Sequence, residues 1–323
     1  MKKDLHYYAK KFAKLRVDRS RGIAPHKPIL VLSVIEIIGQ NIIQQNRIIL
    51  SPELIASFLK YWSVLVSSEK HHSDIHLPFF YLRSEGFWHL KVDSRFDDIV
   101  TNFKPNSINS VRQIVEYIYL DDELFDLLQI DTNRSYLVKI LVDKWFADRK
   151  EKIDELFQIN AFRDFQDRLR ESGGEVYSID DIKDDAKTLV RDAAFRRNIL
   201  SLYNYSCAFC RLRVISGSNQ SIVDGAHIKP FAEFWDDRLN NGLSLCKNHH
   251  WAFDRGWFTI DDDYKIIVCE DLQEHSPNSK PLKAFANEQI YLPSQSAHLP
   301  RLEAIRWHRE KRFAVKNQII LKY

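Results

Sequence analysis

Apolar positions near the start of the chain fall at helical spacing: Leu5, Tyr8, Phe12 and Leu15, with lysines between them. Pro25 and Pro28 interrupt that pattern. An apolar run from Ile29 to Ile38 follows, broken only by Ser33 and Glu36 and ended by Gly39. Its length suits a buried helix as well as a strand. Ser51-Pro52-Glu53 reads as a helix start, with Ser as cap and Pro in the first turn, and Leu54, Phe58, Trp62 and Leu65 form the inward face. Phe79–Leu82 and Phe87–Val92 read as two strands around a Ser84-Glu85-Gly86 turn. From Asn109 to about Arg170 the period is helical throughout, with a break near Asp131-Thr132-Asn133. Ser172-Gly173-Gly174 and the acids after it read as a linker, and Lys187–Tyr205 is helical again. Lys265–Cys269 reads as a strand. The pattern predicts an α+β protein: an α-rich N-terminal domain with a small β-sheet over 1–165, a linker over 166–186, and a C-terminal domain over 187–323.

Composition narrows this picture. The chain has 323 residues, 45% hydrophobic, 12% aromatic and 28% charged, which excludes a disordered chain and suits about two domains. No apolar window is long enough to span a membrane, and the N-terminus lacks the apolar core of a signal peptide, so the expected location is cytoplasmic, with no membrane partner. Net charge is only +3, but it is unevenly spread. Residues 1–30 carry nine Lys/Arg against two Asp, and 301–313 carry five against two Glu, while 171–185 hold six acids and one Lys. Basic ends on a near-neutral chain suit a polyanion, although solvated helix faces give the same pattern.

The four cysteines are too few for a disulfide framework, and three of them fall into metal-ligand spacing. Cys207-x2-Cys210 is answered by Cys246-x2-His249, a Cys3His set suited to structural Zn2+. The alternative is buried cysteines beside a surface histidine. Cys269 lies in an apolar strand and reads as a core residue.

Between and after these pairs stand Asp224-Gly225-Ala226-His227, Asn240-Asn241-Gly242 and His249-His250-Trp251-Ala252-Phe253-Asp254. With the lead-in Phe195-Arg196-Arg197-Asn198 and the late Trp307-His308-Arg309, they resemble the HNH nuclease family over about 187–323. The resemblance implies a zinc-stapled ββα-metal finger that hydrolyses phosphodiester bonds. By it, His227 is the general base, Asn241 the central Asn that braces the loop or binds metal, and His250 a catalytic residue on the metal side. His250 and Asp254, four apart on a helix, can share one Mg2+ or Mn2+. Many members carry Asp directly before the catalytic His. Here that residue is Ala226, and Asp224 faces away on a straight strand. Asp254 could instead pair with Arg255, and Asn240 rivals Asn241.

In the N-terminal part, Arg21-Gly22-Ile23-Ala24-Pro25-His26-Lys27-Pro28 and His76-Leu77-Pro78-Phe79-Phe80-Tyr81-Leu82, followed by Gly86-Phe87-Trp88, resemble the sulfur-binding domain of McrA-like, modification-dependent restriction endonucleases. The resemblance implies double-stranded DNA with a phosphorothioate backbone as partner. Leu77, Pro78 and Phe79 would form an apolar cup for the soft sulfur. Arg21, His26 and Lys27 would hold phosphate oxygens, and His76 and Arg83 would reach bases. Pro25–Pro28 could instead only start a core helix, with Pro78 and Phe79 packed under Trp88. The rival functions are an HNH nuclease that reads a modified base or plain sequence, and a zinc-stabilised DNA-binding protein without catalysis. One active site per chain makes a homodimer one route to a double-strand cut.

Overall fold

The computed structural model describes residues 3–314 apart from 68–69, 158, 179–180, 218–219 and 276. Two compact units emerge, one from residues 1–164 and 184–190, the other from 165–183 and 191–323. The end of the region expected to be the nuclease domain, 315–323, and part of the expected linker, 179–180, lie outside the described residues.

The first unit is built on helices α1 (Leu5–Ala13), α2 (His26–Gly39) and α3 (Pro52–Leu65). The ambiguous apolar run is helical. Every residue of α2 from Pro28 to Ile38 is buried, as a helix apolar all round must be. Its one carboxylate, Glu36, is compensated inside the core: Ser57 Oγ and Lys60 Nζ donate to it, and Lys60 also donates to the carbonyls of Leu156 (2.7 Å) and Ile159 (2.9 Å).

Two sequence expectations fail in this unit. Phe79–Leu82 is not a strand: α4 (His76–Tyr81) runs into a 3-10 turn, Leu82–Glu85, and Gly86 leaves it with φ +80°. Pro78 is tolerated because it lies in the first turn, where no intrahelical N–H bond is lost. The second failure is the helical reading of the stretch between Asn109 and the break near Asp131, which holds a strand. Strand β1 (Trp88–Val92) pairs antiparallel not with a local hairpin partner but with β2 (Val115–Leu120), which lies between α5 (Ile108–Ile114) and α6 (Asp122–Leu128). The Val-Glu-Tyr-Ile-Tyr-Leu composition of β2 is β-branched and aromatic, and the pairing with β1 buries Val115, Ile118 and Leu120. Helices α7 (Asp131–Trp145) and α8 (Lys150–Leu156) complete the unit.

The second unit receives the chain from α9 (Ala161–Glu171) and α10 (Asp185–Leu202). Inside the expected linker, residues 173–177 are hydrogen-bonded to 235–239: Leu239 N donates to Gly173 O (2.8 Å), Asp237 N to Glu175 O (2.8 Å) and Tyr177 N to Trp235 O (2.9 Å). The core of the unit is an antiparallel ribbon, β3 (Val223–His227) with β4 (Gly242–Cys246), joined by a loop that holds the short helix α11 (Phe231–Phe234). Helix α10 crosses this ribbon closely. A Cβ on Gly225 would lie 2.9 Å from the Arg196 Cα, and one on Gly242 would overlap Ile199. Helix α12 (Lys247–Asp254) leaves β4 directly, which completes a ββα unit. The hairpin β5 (Phe258–Ile260) and β6 (Ile266–Val268) and helix α13 (Leu302–His308) close the core behind it. There His308 is fully enclosed. It stacks on Phe253 (3.7 Å between centroids), bonds Thr259 Oγ1 (3.0 Å) and the Phe253 carbonyl (2.9 Å), and burial pushes its imidazole down to about 4.

Candidate active site and metal centre

The Cys-x2-Cys turn ends at Arg211, whose φ of +61° folds the chain back so that both thiols face the end of β4. Ligand atoms of Cys207, Cys210, Cys246 and His249 all lie within 4.8 Å of one another. His249 Nδ1 is 3.0 Å from Cys246 Sγ and 3.6 Å from Cys207 Sγ. Tetrahedral donors at about 2.3 Å (S) and about 2.1 Å (N) from a zinc-sized ion would sit roughly 3.5–3.8 Å apart, so this donor set fits one ion. Hydrogen bonds from Cys207 and Cys210 pull the Cys246 thiol far below its ordinary range, and the bonds Cys207 makes to Cys210 and Cys246 push its own thiol far up. Burial would lower the His249 imidazole, but bonds to Cys210 and Cys246 hold it at about 9. A cation in the centre would take over the role of those shared protons. Phe209 stacks on His249 at 4.2 Å and roots the cluster in the core.

Strand β3 ends on His227, opposite Gly242. Its ring lies flat on Phe195 (4.0 Å, 2° between planes), and its Nε2 is 2.7 Å from Asp237 Oδ1. Asn241 is fully buried just before β4. Its Oδ1 accepts from Lys229 N (3.0 Å), and its Nδ2 donates to the carbonyls of Lys229 (3.1 Å) and Asp236 (2.9 Å). Asn241 therefore ties both ends of the β3–β4 loop together with its whole amide. Neighbouring Asn240 makes no such tie: its Oδ1 is buried without a partner. On α12 the two adjacent histidines diverge. His249 joins the sulfurs, while His250 Nε2 stands 3.6 Å from Asp254 Oδ2, one turn on. Asp254 is also within electrostatic reach of His227 and Arg255. Asp224 is turned to Lys247 (2.9 Å), as its place in β3 requires.

In the first unit, a cavity of about 420 Å³ brings together His26, Lys27, Leu77 and Pro78, with Arg16 and Tyr81, which the sequence reading missed. Four expected reader residues are not in that lining. Phe79 is buried and packs edge-on against Trp88 (5.9 Å). On a strand it would share a face with Leu77; on α4 it points about 200° away, so the helix itself removes it from the cup. Arg83 lies over the Phe80 ring (4.1 Å) and donates to Val100 O (3.2 Å). Arg21 is exposed elsewhere, and His76 is half-buried, its imidazole lowered by burial. Lys27 is not a free cation: it pairs with Glu85 (2.5 Å). His26 bonds the His72 carbonyl (2.8 Å), packs at a tilt on Trp62 (4.7 Å), and is lowered by burial.

Residues 207–261 match the family model of HNH endonucleases. That segment contains the Cys3His cluster, His227, Asn241, His250 and Asp254, and the second unit thus carries an HNH endonuclease domain. Among solved structures, the chain is similar to "Modification dependent TagI restriction endonuclease", at 26% identity over 38% of this chain and 38% of that one, with a TM-score of 0.29. It is also similar to the "Type IV phosphorothioation-dependent restriction endonuclease ScoMcrA", at 12% identity over 76% of this chain and 94% of that one, with a TM-score of 0.33. The chain thus spans well under half the length of TagI, and at these TM-scores neither likeness bears on the whole fold. No curated protein matches the chain.

Sequence reasoning missed Asp237, Arg191 and Asp236. All three are buried charges brought in by the β3–β4 loop and α10. Asp236 is held below the usual carboxylate range against the effect of burial by Arg238 and Arg301, both 2.8 Å away. Nothing local in the sequence marks these residues, because each partner lies at long range or in irregular chain.

Proposed function

We propose that the protein is a modification-dependent DNA endonuclease, with an N-terminal reader of phosphorothioate DNA and a C-terminal HNH domain that hydrolyses phosphodiester bonds. One observation carries the nuclease reading. Inside the matched segment, His227, Asn241 and the His250–Asp254 pair occupy the strand end, loop tie and helix of one ββα unit, whose base is the Cys3His cluster. In this reading the cluster would hold a structural Zn2+. His250 and Asp254 would hold a hard divalent cation, Mg2+ or Mn2+, which would stabilise charge on the phosphate oxygens. His227 takes a proton from water, whose oxygen bonds to phosphorus as the phosphorus–leaving-oxygen bond breaks; solvent returns a proton to the leaving oxygen. Asn241 keeps the loop after His227 closed.

The reader assignment is supported by the first-unit cavity. Apolar Leu77, Pro78 and Val17 stand beside Arg16, His26 and Lys27. Such a wall favours sulfur, which is larger and less hydrated than oxygen, while Arg16 suits the charge that both phosphates share, with Lys27 held by Glu85 and Asp18 also in the lining. The partner is double-stranded DNA, and the expected setting is the cytoplasm.

The test is binding and cleavage of phosphorothioate, methylated and plain duplexes by the full chain, with Mg2+ or Mn2+ added. Metal-dependent cutting of the phosphorothioate duplex is expected. Cutting that favours the methylated duplex, or ignores modification, would replace the reader assignment. No cutting of any duplex with either ion would overturn the nuclease reading and leave a zinc-stabilised DNA-binding protein.

A further inference from the structure

We infer that Asp237 is the positioning residue of His227, and that Arg191 sets which atom of Asp237 faces the imidazole. The inference rests on the nuclease reading and specifies how its base is held. Asp237 is fully buried, yet its two oxygens are divided between partners. Oδ1 lies 2.7 Å from His227 Nε2, and Oδ2 accepts from Arg191 Nη1. Arg191 is itself buried, its guanidinium 3.5 Å from the centre of the Phe231 ring. A carboxylate whose other oxygen is clamped by a buried guanidinium presents only an acceptor to the imidazole. The proton of a neutral His227 is then on Nε2. Nδ1 has no hydrogen-bond partner among the described residues and keeps its lone pair, so Nδ1 is the atom that takes the proton from water. The flat stack on Phe195 fixes the ring plane, leaving rotation and tautomer to Asp237. When the ring becomes a cation, the carboxylate is already beside it, and no reorganisation is needed.

Arg191 makes the arrangement testable in a direction that simple loss of packing does not predict. In Asp237→Asn, the guanidinium still demands an acceptor, so the amide oxygen faces Arg191 and the amide nitrogen faces His227. The Asn then donates to Nε2, the imidazole proton moves to Nδ1, and the base loses its lone pair on the working side. D237N should therefore lower kcat on the order of 10²–10⁴-fold, with KM changed less than about threefold. Metal content and melting of the C-terminal unit are measured alongside. The double variant D237N/R191M frees the amide to turn its oxygen to His227, and should recover at least about tenfold of the lost kcat although it removes another native contact.

Nitrogen-15 NMR of the His227 ring in the wild-type full chain reads the tautomer without any substitution. A proton on Nε2 is expected, and a proton on Nδ1 overturns the inference even if D237N fails to fold. If the wild type cuts DNA and folded D237N cuts with unchanged kcat, the inference falls while the nuclease reading stands. If the wild type cuts nothing, the nuclease reading falls, and the catalytic role given to Asp237 falls with it; the NMR result then reports only the pairing.

Discussion

His227 and His26 each make one short hydrogen bond and pack on an aromatic ring, but their surroundings differ in kind. His227 bonds a buried carboxylate that is itself clamped by a buried arginine, and its ring is pressed flat on Phe195. His26 bonds a backbone carbonyl, tilts on Trp62 at 56°, and lines an open cavity beside the Lys27–Glu85 ion pair. A proton-transfer site needs one ring atom fixed and a charge ready to meet it, whereas a docking wall needs shape and a low cost of losing water. In the proposed reading the two units meet those demands with similar residue types, and variants in each should fail in different ways.

The largest expected effect separates the units outright. Cys207→Ser or Cys246→Ser should strip the Cys3His centre and unfold the C-terminal unit, because a structural ion of this kind contributes about 10 kcal/mol or more of folding energy in small metal domains. Metal analysis with a two-transition melt checks it: one transition should vanish while the N-terminal one remains. Finding well-folded protein with no bound metal would show that the cluster needs no ion. Next in size is the chemistry. His227→Ala should lower cleavage about 10²–10⁴-fold with DNA binding retained, and His250→Ala should also stop cutting while metal content in the Cys3His centre is unchanged. His249→Ala should instead lose that metal and the stability with it. If His250→Ala is the variant that loses the metal, the two histidines have been assigned in reverse.

The units also differ in how much of them the sequence discloses. The C-terminal centre is built from residues three or four apart, Cys207/Cys210, Cys246/His249 and His250/Asp254, whose spacing already implies geometry on a turn or a helix. What spacing could not reveal was Asp237 and Arg191, 46 residues apart and joined only by the fold. In the N-terminal unit, the helices marked by caps and period, α1 and α3, were legible. The β1–β2 pairing was not, because 22 residues, helix α5 among them, separate Val92 from Val115. Of the three residues expected to line an apolar cup, Leu77 and Pro78 reach one cavity and Phe79 does not, for a local reason. His76–Tyr81 is rich in aromatics and so resembles a strand, yet it folds as one helical turn and sends Phe79 to the core.

A smaller effect comes from pH. Burial lowers His308 to about 4, so the unfolded chain takes up a proton there near pH 6.5 and the folded chain does not. Its contribution is fully present above about pH 6.5 and is lost as pH falls through about 4. The C-terminal melting temperature should fall across that window. His308→Gln, which cannot take up a proton, should melt lower at pH 7 but with a shallower slope. A slope equal to that of the wild type would mean that His308 does not drive the loss.

The smallest expected effect is in the reader, where the difference between two ligands is a single atom. Leu77 and Pro78 line the cavity, and Lys27 stands beside them in a pair with Glu85. Changing Leu77 to Asp puts a charge and its hydration shell where the sulfur would rest. The phosphorothioate-to-plain affinity ratio of the full chain should then fall several-fold, toward one, with less change in binding of the plain duplex. Lys27→Ala should act differently. It removes a cation that both duplexes feel, so both affinities should drop, the ratio should move little, and the salt dependence of each should become shallower. It also leaves Glu85 buried without its partner, so part of the loss will be stability, and the N-terminal melting transition must be compared before binding is read. If Leu77→Asp leaves the ratio unchanged in a folded protein, the cavity is not the sulfur site. If Lys27→Ala moves the ratio and Leu77→Asp does not, discrimination rests on charge rather than on the apolar wall.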